Sequence, residues 1–303
     1  MLPEKSWKLE AIGRLFLSII ACILGGEAIA RAVQAASKPI AHDWKFILSS
    51  MAAISAFGAT VASLRKPWTL ERALPRMIIS LFFFQIGIVC AMIEEKLAGR
   101  PPSVFPISQM LISFLAFQGA ALFLVHGFLK NHDANWSEAF GFLQQWQIAA
   151  LWGLIIGSLF FKAGQLLQGV SIEALKHLPI PVKSEEQQAI QTLRLASSWA
   201  DRIVLGLGTI VLAPFAEEIL FRGILYTAIK RAGFQNLAVW ATSLLFALIH
   251  FNVGIFLPLL VLAVILAYLY EYTGNLLASI VAHATFNAIN FFTLYYVQQT
   301  TVR

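Results

Sequence analysis

Three short groups of residues hold the chemistry available to this chain. The first is Glu217-Glu218, with Arg222 four residues beyond the second acid. The second is Phe246 with His250 and the third His283 with Asn287, each pair again four residues apart. On a helix, positions i and i+4 share a face, so Glu218 and Arg222 can pair. Glu217 is turned by about 100° from Glu218 and is left to point into a cavity. A carboxylate in a low-dielectric cavity is suited to act as a base. The arginine favours the ionised form of its own partner, so the two acids can titrate apart. An adjacent imidazole can hold a water against Glu217, and the other histidine and the asparagine can donate hydrogen bonds to a developing oxyanion. That set suffices for water-driven hydrolysis of an amide, with no serine or cysteine nucleophile.

All three groups lie in apolar surroundings. The chain has 303 residues, 58% of them hydrophobic and 13% charged, with a mean hydropathy of +0.73. A soluble domain carries about 25% charged residues. The composition therefore predicts an all-α, polytopic transmembrane bundle of about eight or nine spans at about 20 residues each. A charge at the centre of a membrane helix costs about 2.5–3.5 kcal/mol on insertion scales, so Glu217, Glu218 and Arg222 must face protein or a wet cavity. Singly, each group reads equally well as an interhelical hydrogen-bonding device worth about 0.6–2 kcal/mol. Together, on successive apolar segments, they point to an intramembrane site formed by the C-terminal helices.

The elements that must position these residues follow from the apolar runs. Spans are expected near 11–30, 46–64, 77–93, 107–129, 148–170, from 203 to Lys230-Arg231, 237–251, 255–270 and 276–296. Pro214 is expected to kink or break its span, placing both glutamates after a bend. Gly153 and Gly157 form a small-xxx-small pair that lets another helix approach. Residues 1–170 read as N-terminal membrane helices, 171–199 as a polar connector with an amphipathic stretch at 187–198, and 200–303 as the catalytic half. Lys5, Lys8 and Arg14 before an apolar run resemble a signal peptide, but Glu27 favours a retained first span. The basic loop Arg65-Lys66-Pro67 with Arg72 and Arg76 is assigned to the cytoplasm. A second acidic pair, Glu94-Glu95 beside Lys96, reads as a solvated helix end. Asn135-Trp136-Ser137 is a weak glycosylation match. The two cysteines, Cys22 and Cys90, lie in apolar runs and form no metal motif.

The ordered trio Glu217-Glu218-x-x-x-Arg222, Phe246-x-x-x-His250 and His283-x-x-x-Asn287 resembles the CAAX-prenyl endopeptidase and bacteriocin-processing family of intramembrane glutamate proteases. The resemblance spans about residues 201–290. It implies that Glu217 activates water, that His250 helps hold that water, and that His283 and Asn287 stabilise the oxyanion. Glu218, Arg222 and Phe246 would support the site. No cofactor and no metal are implied. The expected partners are the lipid bilayer and a peptide or lipidated protein substrate, with no nucleic acid, and the expected location is a bacterial inner membrane. Two other readings stay open: a zinc hydrolase drawing ligands from Glu217, Glu218, His250 and His283, and a membrane scaffold or proton-coupled transporter.

Overall fold

The computed structural model describes residues 7–37, 44–64, 107–177 and 198–301, with Pro75, Ile78, Ile79 and Leu193. Among the described residues every regular element is helical. The helices are α1 (Leu9–Ser37), α2 (Trp44–Ser63), α3 (Ile107–Phe114 continuing through Leu115–Gly119 to Ala120–Lys130), α4 (Trp136–Phe140) and α5 (Trp146–Lys176). Then come α6 (Trp199–Arg231), α7 (Gln235–Leu248), α8 (Val253–Thr273) and α9 (Leu276–Thr301). Six of these are long and apolar enough to cross a membrane: parts of α1, α3 and α9, and all of α5, α6 and α8. Ala53–Ala62 within α2 and the whole of α7 are shorter apolar helices. The chain is a multi-pass, all-helical membrane protein. Nearly all of the expected span at 77–93, the Glu94-Glu95 pair, Cys90 and nearly all of the 187–198 stretch lie outside the described residues.

Two compact units divide the chain, Lys8–Phe128 and a larger one containing Leu129–Arg303. In the smaller unit, Gly25 faces the Phe57 ring of α2, and Gly26 sits where a Cβ would collide with Ala116 of α3. None of the three motifs lies there.

The larger unit is built around α8, an apolar helix whose Leu262, Ala263, Leu266, Ala267 and Tyr270 are sealed from solvent. Helix α5 lies along α9, and its small residues allow the approach. A Cβ on Gly153 would stand 2.7 Å from the Ala278 carbonyl oxygen, and one on Gly157 would collide with the Ala282 carbonyl. The expected small-xxx-small contact is thus the α5–α9 seam. Ala149, Phe160, Leu262, Leu266, Ala278 and Ala282 form the core where α5, α8 and α9 meet. At the α8–α9 turn, Gly274 takes a left-handed conformation (φ 62°). Asn275 there accepts from Leu277 N at 2.9 Å and donates to the Gln144 carbonyl at 2.7 Å. The loop before α5 is thereby tied to the start of α9.

Two sequence expectations change. Helix α5 continues to Lys176 rather than stopping at Val170, six residues into the expected connector. Pro214 does not break α6. The turns at Leu207–Leu212 are widened to i→i+5 spacing just before it, and Pro214 opens the α-helical piece Ala213–Glu218. A widened turn accommodates the missing N–H and the bulk of the ring without ending the helix. The side chain of Asn135, in the weak glycosylation match, caps α4 by accepting from Glu138 N at 2.9 Å.

Candidate active site

The piece Ala213–Glu218 is bracketed by widened turns at Leu207–Leu212 and Ile219–Tyr226. Such turns rotate the residues beyond them relative to a regular helix and cluster at functional sites. Glu217 and Glu218 sit at the end of this piece. Glu218 and Arg222 are both 0% exposed, and Arg222 Nη1 donates to Glu218 Oε1 at 2.7 Å. The i,i+4 pairing expected from sequence is present. Arg222 Nη2 also donates to the Ala263 carbonyl of α8 at 3.1 Å. Two buried charges are stable only when each is paired and further hydrogen bonded, and α8 supplies the extra acceptor.

Helix α9 brings His283, which is 3% exposed. Its Nδ1 lies 3.0 Å from Glu218 Oε1, so one carboxylate oxygen serves both Arg222 and His283. The sequence pattern links each histidine to its own motif and says nothing of this cross-helix bond. Asn287, one turn further along α9, donates from Nδ2 to the Thr209 carbonyl at 2.9 Å. Thr209 lies in the first widened stretch of α6. One of the two amide hydrogens of Asn287 therefore straps α9 to α6.

His250 arrives from the end of α7. The helix ends at Leu248, and His250 lies in the turn that follows. Its Nδ1 is 2.7 Å from the Phe246 carbonyl, which keeps the i,i+4 relation even past the helix end. The next residue, Phe251, has φ 48°, a strained conformation for a bulky side chain. Asn252 then starts α8 by accepting from Gly254 N. No sequence signal marks this strained turn, yet it aims His250.

Phe246 is fully buried and stands at the centre of the group. The Arg222 guanidinium lies 4.7 Å from its ring centre. The ring meets His250 at 4.9 Å and His283 edge-on at 5.6 Å, and Phe221 at 5.3 Å. An aromatic face stabilises a desolvated cation while its bulk fills the space around it.

Glu217 differs from its neighbour. It is 8% exposed, and no described residue makes a hydrogen bond to its carboxylate. His283, His250, Glu218 and Arg222 all lie within electrostatic reach of it. Among the described residues no group of three or more His, Cys, Asp or Glu side chains is placed to share a metal ion. The opposite flank of this part of α6 is aromatic. Phe215 stacks between Trp136 and Phe142 at 6.3 Å from each, and Phe140 packs where a Cβ on Gly223 would collide. The sequence pattern gave no signal for this wall.

The segment that carries all of this has known relatives. Residues 199–289 match the family described as Type II CAAX prenyl endopeptidase Rce1-like. An uncharacterized protein of Bacillus subtilis (strain 168), YpbD, is 35% identical over 83 residues, covering 26% of this chain and 40% of that protein. No solved structure matches. Residues 199–289, the stretch holding Glu217, Arg222, His250 and His283, are similar to the Rce1-like family.

Proposed function

We propose that this protein is an intramembrane endopeptidase that hydrolyses a peptide bond of a membrane-associated or lipidated peptide, using water activated by Glu217. The observation that carries the reading is the contrast inside one acidic pair. Glu218 takes the bonds from both Arg222 and His283 on its Oε1, whereas Glu217 lies within electrostatic reach of the two imidazoles and has no hydrogen bond from the described residues. A buried carboxylate with no competing donor is available to take a proton from water. His250 holds that water, and His283 and Asn287 act on the oxyanion that forms at the carbonyl. Glu218, Arg222 and Phe246 fix the positions of these groups. The match of 199–289 to CAAX prenyl endopeptidases supports a substrate with a lipidated cysteine near the scissile bond. The bacterial relative supports a bacterial inner membrane as the location.

Membrane peptides from cells carrying wild type or Glu217→Ala, compared by mass spectrometry, test the reading. New C-termini that appear only with wild type are expected; identical peptide sets contradict it. Cleavage by purified protein should persist in strong chelator, and loss restored by zinc alone would favour the metal-dependent alternative.

A further inference from the structure

The two histidines of the site are held in different ways. His250 Nδ1 lies 2.7 Å from a carbonyl oxygen, that of Phe246. A carbonyl only accepts, so Nδ1 carries the hydrogen and Nε2 keeps the lone pair. His283 Nδ1 lies 3.0 Å from a carboxylate oxygen, Glu218 Oε1. That ring also carries hydrogen on Nδ1 and leaves Nε2 for chemistry. A neutral ring held this way accepts at Nε2 and cannot donate to an oxyanion. Only the imidazolium donates there, and His283 is the one of the two whose Nδ1 partner bears a negative charge.

The charge count of the set leaves room for that proton. Glu217, Glu218 and Arg222 of α6 are buried together with His283 of α9, and His250, beyond α7, lies within electrostatic reach of Glu217. Helix α8 contributes the Ala263 carbonyl to Arg222. With both rings neutral, two carboxylates and one guanidinium leave one net negative charge in a low-dielectric site. One added proton neutralises the set, which burial favours.

The geometry points to His283 as the proton donor to the leaving amine nitrogen, with Glu218 as the residue that positions it. This rests on the endopeptidase reading above. In the first step Glu217 takes a proton from water while the water oxygen bonds to the carbonyl carbon. The His283 imidazolium donates from Nε2 to the oxyanion. In the second step the C–N bond breaks, and the Nε2 proton moves to the nitrogen, which leaves as a neutral amine. Glu217 then returns its proton to His283, and the new carboxyl group ionises to solvent.

A pair of probes separates proton donation from every other role. One is a farnesyl-cysteine peptide with three aliphatic residues after the cysteine. The other has the scissile amide nitrogen replaced by sulfur. A thiolate leaves without being protonated. In proteoliposomes, His283→Ala should lower the ratio of amide to thioester cleavage by about 10²-fold or more, the usual share of a general acid. Glu218→Gln keeps an acceptor for Nδ1–H but removes the charge, and should lower the same ratio by a smaller factor. Glu217→Ala should lose both activities. A His283→Ala protein that retains thioester cleavage with an unchanged ratio overturns the proposal. If His283→Ala loses both activities, the Glu218→Gln ratio decides: a fall supports the proposal and no change overturns it. Wild type inactive on both probes overturns the endopeptidase reading itself.

Discussion

Helix α6 meets α8 through two charged clusters that share one row of side chains, and the clusters are built to opposite ends. Glu218, Arg222, Tyr226 and Lys230 follow one another at i+4 spacing and therefore line one face. In the outer cluster, Glu271 of α8 is bonded through both oxygens by Lys230 and accepts from Tyr226 at 2.5 Å. Its side chain is about a fifth exposed, and that of Lys230 about a quarter. Every oxygen of that carboxylate is used. In the inner cluster Glu218 is bonded through Oε1 alone, and its neighbour Glu217 accepts no hydrogen bond from the described residues. A carboxylate bonded through both oxygens locks two helices together; the proposed function gives Glu217, which has no such bonds, to the reaction. The inner cluster is the more expensive arrangement, because its charges are sealed while the outer ones touch solvent.

Removing Glu218 should break the inner cluster most severely. Glu218→Ala leaves the Arg222 guanidinium buried without its counter-charge, at a cost of about 3–5 kcal/mol. A large drop in thermal stability in detergent, together with loss of cleavage, is expected. Stability close to wild type would show that the pair is not what holds the site. Gly157→Leu acts from behind, by pressing α5 against the carbonyl next to His283. Overpacking of this kind costs about 1–3 kcal/mol, and a shift of about 1 Å at His283 should cut turnover by up to about 100-fold. An unchanged kcat would mean α9 is not positioned by that seam.

The outer cluster should respond in stability alone. Tyr226→Phe removes a hydrogen bond to a charged acceptor, worth about 1.5–3 kcal/mol, with cleavage measured in proteoliposomes staying within about threefold. Glu271→Gln should matter least, about 1 kcal/mol or less, because Lys230 can turn to solvent. If either outer variant lowered kcat as much as the inner ones, the division of labour along the row would be wrong.

How much of this could be read beforehand depends on whether the contact is local. The Glu218–Arg222 pair and the Gly153–Gly157 seam follow from helical periodicity, and both appear in the fold. The bond from His283 to Glu218 and the strap from Asn287 to Thr209 do not, because they join residues far apart in sequence. Phe246 reads as a packing residue, yet it carries the Arg222 charge on its face and touches both histidines. The outer cluster had a partial signal, the i+4 row on α6, but its acid comes from α8. The break allowed for at Pro214 does not occur, because propensity says that the ring disrupts a regular helix, not that a widened turn ahead of it keeps the helix continuous.

The central claim is that the less-bonded carboxylate of the acidic pair performs the reaction. Glu217→Gln tests it most directly, since it removes the base while nearly preserving shape. Cleavage of a farnesyl-cysteine peptide by purified protein should fall by about 10²–10⁴-fold, with thermal stability unchanged or raised. A Glu217→Gln protein that cleaves at the wild-type rate would contradict the account.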